Sequence, residues 1–100
     1  MSEAGATLTI RHDLARSRFT AYVDGGLAVL DYKLGNGTID LHHTEVPPSA
    51  REHGVAGRLA EAALAYARGR GLRVIATCPF VHGYLKKHPE HMDLVVGTQP

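Results

Sequence analysis

The chain has no tryptophan, four tyrosines, two phenylalanines and a single cysteine. One cysteine excludes an internal disulfide, and with it the class of small disulfide-stapled secreted domains, so a reducing cytoplasm is the expected compartment. No apolar run approaches the ~20 residues of a membrane-spanning helix. Met1-Ser2-Glu3-Ala4-Gly5-Ala6 has neither the basic region nor the apolar stretch of a signal peptide. Neither sign of charge dominates: eleven basic and ten acidic side chains leave a formal net charge of +1. Without a basic stripe interleaved with aromatics, nucleic acid is not an expected partner. Linker tracts, internal repeats and low-complexity segments are absent too. The expected layout is therefore a flexible residue 1–7 segment, one domain over 8–96 and a 97–100 tail, as a monomer or weak homodimer.

What is present is an ordinary globular composition, 44% apolar and 21% charged over 100 residues, enough for one small core. Thr7 to His12 alternates with period two and predicts a first strand. Ser17 to Val23 predicts a second, with Phe19, Ala21 and Val23 on one parity. Asp24-Gly25-Gly26 and Gly35-Asn36-Gly37 supply the positive-φ positions of two hairpin turns, which bracket a third strand over Leu27–Leu34 and lead into a fourth over Thr38–Val46. A strict period of two places Ile39, Leu41, His43 and Glu45 on one face of that strand, and Asp40, His42 and Thr44 on the other.

From Val55 the period changes to 3.6. Val55, Ala56, Leu59, Ala60, Ala62, Ala63, Leu64, Tyr66 and Ala67 fill one broad sector, opposite Arg58, Glu61, Ala65 and Arg68, which predicts an amphipathic helix lying flat on a sheet and ended by Gly71. Leu72 to Cys78 reads as a buried strand, and a strand, helix and strand of these lengths make a parallel crossover. Pro79 suits a first helical position, so Phe80–Lys87 is a short helix with Cys78 near its N-cap, ended by Pro89. Asp93–Val96 suggests a last short strand. The fold class is mixed α/β (α+β): a mostly antiparallel sheet with one crossover helix and a second short helix.

The stretch Val46-Pro47-Pro48-Ser49-Ala50-Arg51-Glu52-His53-Gly54-Val55-Ala56-Gly57-Arg58-Leu59 joins a strand to a helix through a glycine-bearing turn. Such a turn suits an anion, because the first helical turn has unpartnered N–H groups. An alternative stays open, since Ser49 and Glu52 match the spacing of a capping box. Two glycines, at about 1 kcal/mol each relative to alanine, are costly in a purely structural helix start.

Arg51-Glu52-His53-Gly54-Val55-Ala56 resembles the acyl-CoA signature of the GNAT superfamily of N-acetyltransferases. His43-Thr44-Glu45-Val46-Pro47 before it, and Cys78-Pro79-Phe80-Val81, Tyr84 and His88-Pro89-Glu90 after it, resemble that superfamily's minimal Yjdj-type branch. The resemblance implies a truncated GNAT fold over about residues 8 to 95. It also implies acetyl-CoA held where the fourth and fifth strands splay, with Val46, Arg51, Glu52, His53, Gly54, Val55, Ala56, Gly57 and Arg58 as its binding segment. Glu52 stands where many relatives have glycine, and is expected to point away from phosphate.

The implied activity is acetyl transfer to a primary amine on a small molecule or a protein. The alternative is a non-catalytic acyl-CoA-binding module. Transfer needs a base for the amine and an acid for the departing thiolate. Glu45, His42, His43, Cys78 and Tyr84 are the candidates, with Glu45 the expected base. Cys78, near a helix N-terminus, could itself accept the acetyl group. The competing account keeps Cys78 as an inert small hydrophobe and makes Tyr84 the acid. Cys78, His82, His88 and His91 fit no compact zinc spacing, so no metal is expected. Lys86 and Lys87 are read as a solvated face with some chance of meeting CoA phosphates. So short a chain leaves only a shallow acceptor pocket, unless a partner subunit or the acceptor protein completes it.

Overall fold

Both glycine turns form where the sequence places them. In the computed structural model, which describes residues 8–96, Gly25, Gly26 and Gly37 have φ of 92°, 138° and 77°. These turns join β2 (Arg18–Val23), β3 (Gly26–Leu34) and β4 (Thr38–Glu45) into an antiparallel meander. A short β1 (Arg11–Asp13) extends the meander at one edge. Strand one is thus shorter than the alternating Thr7–His12 run; Thr7, like the rest of residues 1–7 and 97–100, lies outside the described residues.

A 3-10 turn over Pro48–His53 leads into α1 (Val55–Arg70). Gly54 is the joint between them, at φ 70° and ψ 19°, a left-handed conformation open to glycine without steric cost. The capping-box alternative is not realised: the Ser49 hydroxyl donates to the Asp24 carbonyl at 2.7 Å, and α1 has no side-chain cap. At the other end Gly71, at φ 68°, closes α1 as expected. The chain then returns as β5 (Arg73–Ala76), parallel to β4 from Thr38↔Arg73 to Leu41↔Ala76. α2 (Pro79–Lys87) follows, with Cys78 at its N-cap. Sheet order is the sequence order, β1-β2-β3-β4-β5. In place of the expected strand over 93–96, Pro89–Leu94 forms a second 3-10 turn, and Val95 alone bridges Val74.

The helices cover one face of the sheet. Phe19, Ala21, Ala28, Leu30, Tyr32, Ile39 and Leu41 point to that side and are buried against Leu59, Ala60, Ala63, Leu64 and Ala67 of α1. Alanines at three of these positions let the helix lie close to the strands. α2 sits beside α1: a Cβ at Gly57 would lie 3.3 Å from the Tyr84 ring, so this second glycine makes room for the helix contact. Arg68 adds a bidentate pair to Asp93, both bonds at 2.9 Å.

One irregularity changes the reading of β4. Asp31 opposes His43 but Tyr32 opposes Leu41, so His42 is an extra residue, a β-bulge. Because directly opposed residues share a face, Leu30↔Thr44 places Thr44 on the helix side, whereas Val29↔Glu45 and Asp31↔His43 place Glu45 and His43 on the open side. The period-two grouping of Ile39, Leu41, His43 and Glu45 therefore fails after Leu41.

Candidate active site

β4 outlasts its neighbour. Pairing with β5 stops at Leu41↔Ala76, and the last backbone hydrogen bond among the described residues is the Cys78 amide donating to the Leu41 carbonyl at 3.0 Å. Among the described residues no strand lies beside residues 42–45 on that edge, which leaves a wedge between the two strands. A cleft of about 360 Å³ lies at its mouth, lined by Thr44, Glu45, Val46, Arg51, Ala56 and Phe80.

Two helices begin at this cleft, since Ala56 and Phe80 are the second residues of α1 and α2. A helix N-terminus carries a partial positive charge and N–H groups without intrahelical partners. In α1 the first i→i−4 bond joins the Arg58 amide to the Gly54 carbonyl at 3.1 Å, so the amides of Val55, Ala56 and Gly57 precede it. Neither helix has an acidic residue in its first turn to neutralise that field. Arg51 adds a cation and is fixed by its Nε donating to the Val46 carbonyl at 2.9 Å. The arrangement suits an anionic ligand.

The expected binding segment divides accordingly. Val46, Arg51 and Ala56 line the cleft, and Gly54 is the joint that turns α1 toward it. Val55 buries its side chain in the core and offers only its backbone. Gly57 adjoins Tyr84, and Arg58 reaches the Leu8 carbonyl at 3.4 Å instead. The side chains of Glu52 and His53 lie outside the described residues. Lys86 and Lys87 occupy the last turn of α2, about 10 Å along the helix from the end that opens on the cleft.

The proposed chemical groups fall in two places. Glu45 lines the cleft and is exposed, with His43 Nε2 3.5 Å from its Oε1. Cys78 is buried nearby, its Sγ 3.4 Å from the Thr44 hydroxyl. Tyr84 belongs to a separate group. Its hydroxyl donates to Glu61, whose carboxylate also meets His91 Nε2 at 3.0 Å, while the Tyr84 ring stacks on His88 at 4.1 Å. Burial and the Glu61 carboxylate together push the Tyr84 hydroxyl well above its ordinary range. Among the described residues the one cluster of three metal-ligating side chains is Glu61, Glu90 and His91, which omits Cys78, His82 and His88.

Glu61, placed by the sequence on the face opposite the apolar sector, is thus a tie between the helices. The missed signal was Gly57 one turn earlier, which opens that face to an aromatic ring. Thr44 and Phe80 were missed as lining residues, Thr44 because the bulge hides its direction. The Tyr84 hydrogen bond, followed by His91, holds the Glu61 carboxyl below the usual range. A depressed carboxyl stabilises the fold above its unfolded value and loses that contribution as pH falls through the folded one. Glu61→Gln is therefore expected to lower Tm at pH 7, with the gap to the parent protein closing as pH is taken below about 4.5; a gap independent of pH would contradict the assignment.

A sequence model of the GCN5-related N-acetyl-transferase family matches residues 18–94. Among curated proteins, Protein NATD1 of chicken and of human are each 38% identical to this chain over 90 residues, which covers 87% of it and 82% and 80% of theirs. The NMR structure of a GCN5-like protein from Staphylococcus aureus superimposes with a TM-score of 0.73 at 28% identity, covering 92% of this chain and 91% of the other. The wedge between parallel strands, the glycine joint and the two helix N-termini at one cleft are thus features of a chain that belongs to the GCN5-related N-acetyltransferase family.

Proposed function

We propose that this chain transfers the acetyl group of acetyl-CoA to a primary amine at the β4–β5 wedge. The observation that carries the reading is the convergence of two helix N-termini, neither with an acidic residue in its first turn, on the end of β4 that β5 does not reach. The amides of Val55, Ala56 and Gly57 would hold the pyrophosphate, as helix N-termini do. The free edge of residues 42–45 would pair with the amide-bearing arm of the cofactor, in the manner of an added strand. Acetyl-CoA, when bound, supplies the activated acyl group. Glu45, on the open side of the sheet, takes the proton from the incoming amine, directly or through water. The N-terminus of α2 stabilises negative charge that develops on the departing sulfur.

Binding is tested at Gly54, where φ is 70° and, chain neighbours and the helix's own backbone aside, nothing among the described residues lies within 4 Å of an added Cβ. Asn and Asp both tolerate that conformation and differ only in charge. Gly54→Asp is expected to weaken CoA binding at least tenfold relative to Gly54→Asn, as read by calorimetry. Equal affinities would remove the pyrophosphate from this joint.

Transfer is tested by following CoA release with a pool of amines and peptides. Binding without turnover would instead favour a non-catalytic acyl-CoA module. We take direct transfer as the route, because the Cys78 side chain is buried and set against Thr44, as a small core residue is. Cys78→Ala should then retain most activity. Acetylated Cys78, found by mass spectrometry after exposure to acetyl-CoA, together with an inactive alanine variant, would establish the covalent route.

A further inference from the structure

The open face of the sheet has rows of directly opposed side chains that run across the strands. One row is Asp13, Arg18, Asp31 and His43, and the charges of Asp13, Arg18 and Asp31 alternate in sign at adjacent positions. Arg18 Nε meets the Asp31 carboxylate at 2.9 Å and Arg16 pairs with Asp13 at 3.2 Å, so both carboxylates of that row have a cation. The next row is Arg11, Thr20, Val29 and Glu45. Here the two charges stand at opposite ends, with nearly covered Thr20 and Val29 between them, at 8% and 9% exposure; Glu45 Oε1 lies 3.5 Å from His43 Nε2 of the first row and remains exposed.

Three strand spacings separate Arg11 from Glu45, about 14 Å. That is beyond the ~8 Å Debye length at physiological ionic strength, so neither charge neutralises the other. Arg11 also borders an open hollow of about 490 Å³ with Asp13, Arg16, Arg18, Thr20, Tyr22 and Leu27, where Asp13 is paired to Arg16 at 3.2 Å and Arg18 to Asp31 at 2.9 Å. Tyr22 and Leu27 wall the row with apolar surface, 75% and 37% exposed. At the far end, Glu45 is shared with the cleft assigned to acetyl transfer. A ligand that complements this row has a cation at the Glu45 end, an anion at the Arg11 end and a slim, partly apolar body between.

We infer that the acceptor is an extended peptide lying across this row, with its amine at Glu45 and an acidic side chain at Arg11. The inference rests on the proposed acetyl transfer for the identity of the amine, but its charge pattern is independent of turnover. An extended chain rises about 3.4 Å per residue and the lysine stem spans part of the distance. The acid therefore belongs two to four residues from the acceptor lysine.

The test uses N-terminally blocked, fluorescein-labelled peptides with one lysine and, two to four residues from it on either side, either glutamate or arginine, whose charge is that of lysine but whose guanidinium is no second acceptor. Affinity is measured by anisotropy in the presence of CoA, and CoA release is measured separately with acetyl-CoA. For the parent protein, at least one glutamate peptide is expected to bind at least tenfold more tightly than its arginine counterpart. Arg11→Glu, an exposed site whose folding is checked by circular dichroism, is expected to reverse that preference. Equal binding of both peptides, or a glutamate preference that survives Arg11→Glu, would overturn the inference even if other amines are acetylated. Charge-dependent binding that reverses in the variant, without CoA release, would instead uphold this surface and count against the transfer reaction.

Discussion

Glu45→Gln is expected to lower kcat by about a hundredfold to ten-thousandfold, the range for loss of a positioned general base, while leaving CoA affinity within about twofold. The separation follows from where the side chain sits. Glu45 lines the cleft from the open side of β4, across from Val29, whereas the amides assigned to the pyrophosphate belong to α1 on the other side of the sheet. The amide keeps the shape and loses only the proton acceptor. Initial rates across pH, with CoA binding measured in parallel, check the result. An unchanged kcat and an unaltered pH profile would take the base away from Glu45; a large loss of CoA affinity would make it a binding residue.

Leu59→Ala should produce the largest change in stability. Leu59 is fully buried where α1 meets the sheet. Truncation of such a leucine costs about 2–5 kcal/mol, in part because the surrounding structure closes the cavity incompletely. In a domain near this size each kcal/mol lowers Tm by about 4–8 °C, so thermal denaturation should show a fall of about 8–40 °C. Ala65, exposed on the opposite face of the same helix, provides the comparison: Ala65→Lys is expected to change stability by less than about 0.5 kcal/mol. Equal effects at the two positions would mean that the packing face of α1 is misassigned.

Much of the fold was legible because local chemistry and tertiary structure agree. Gly25, Gly26 and Gly37 have the positive φ that the hairpins need, Gly71 ends α1, and the apolar sector of α1 is the buried one. What was not legible required knowledge of a neighbour. The bulge at His42 is defined only against β3, and it moves His43 and Glu45 to the opposite face from Leu41. Glu61 looks solvated until Tyr84 arrives from α2, 23 residues away in sequence. The 3-10 turn at Pro48–His53 took the place of a capped helix start because Ser49 finds its partner in the β2–β3 hairpin. Within the site, the segment from Arg51 to Gly57 could be located by its glycines and the helix that follows. The lining roles of Thr44 and Phe80 depend on where the strands part.

The single bridge from Val95 to Val74 has a meaning beyond local structure. A sheet with two free edges offers unpaired backbone groups to any other extended chain, and so can seed intermolecular pairing. At one edge here, β1 is only three residues long and includes Arg11 and Asp13, a short and charged template. At the other, β5 is the four-residue run Arg73–Ala76, rich in aliphatic side chains, and the closing segment lies along it, with the Val96 amide donating to the Val74 carbonyl at 2.9 Å. The last described residues thus act as a guard strip. They occupy hydrogen-bonding positions that a second molecule would otherwise fill, and they keep the more adhesive border of the sheet from serving as a site of aggregation.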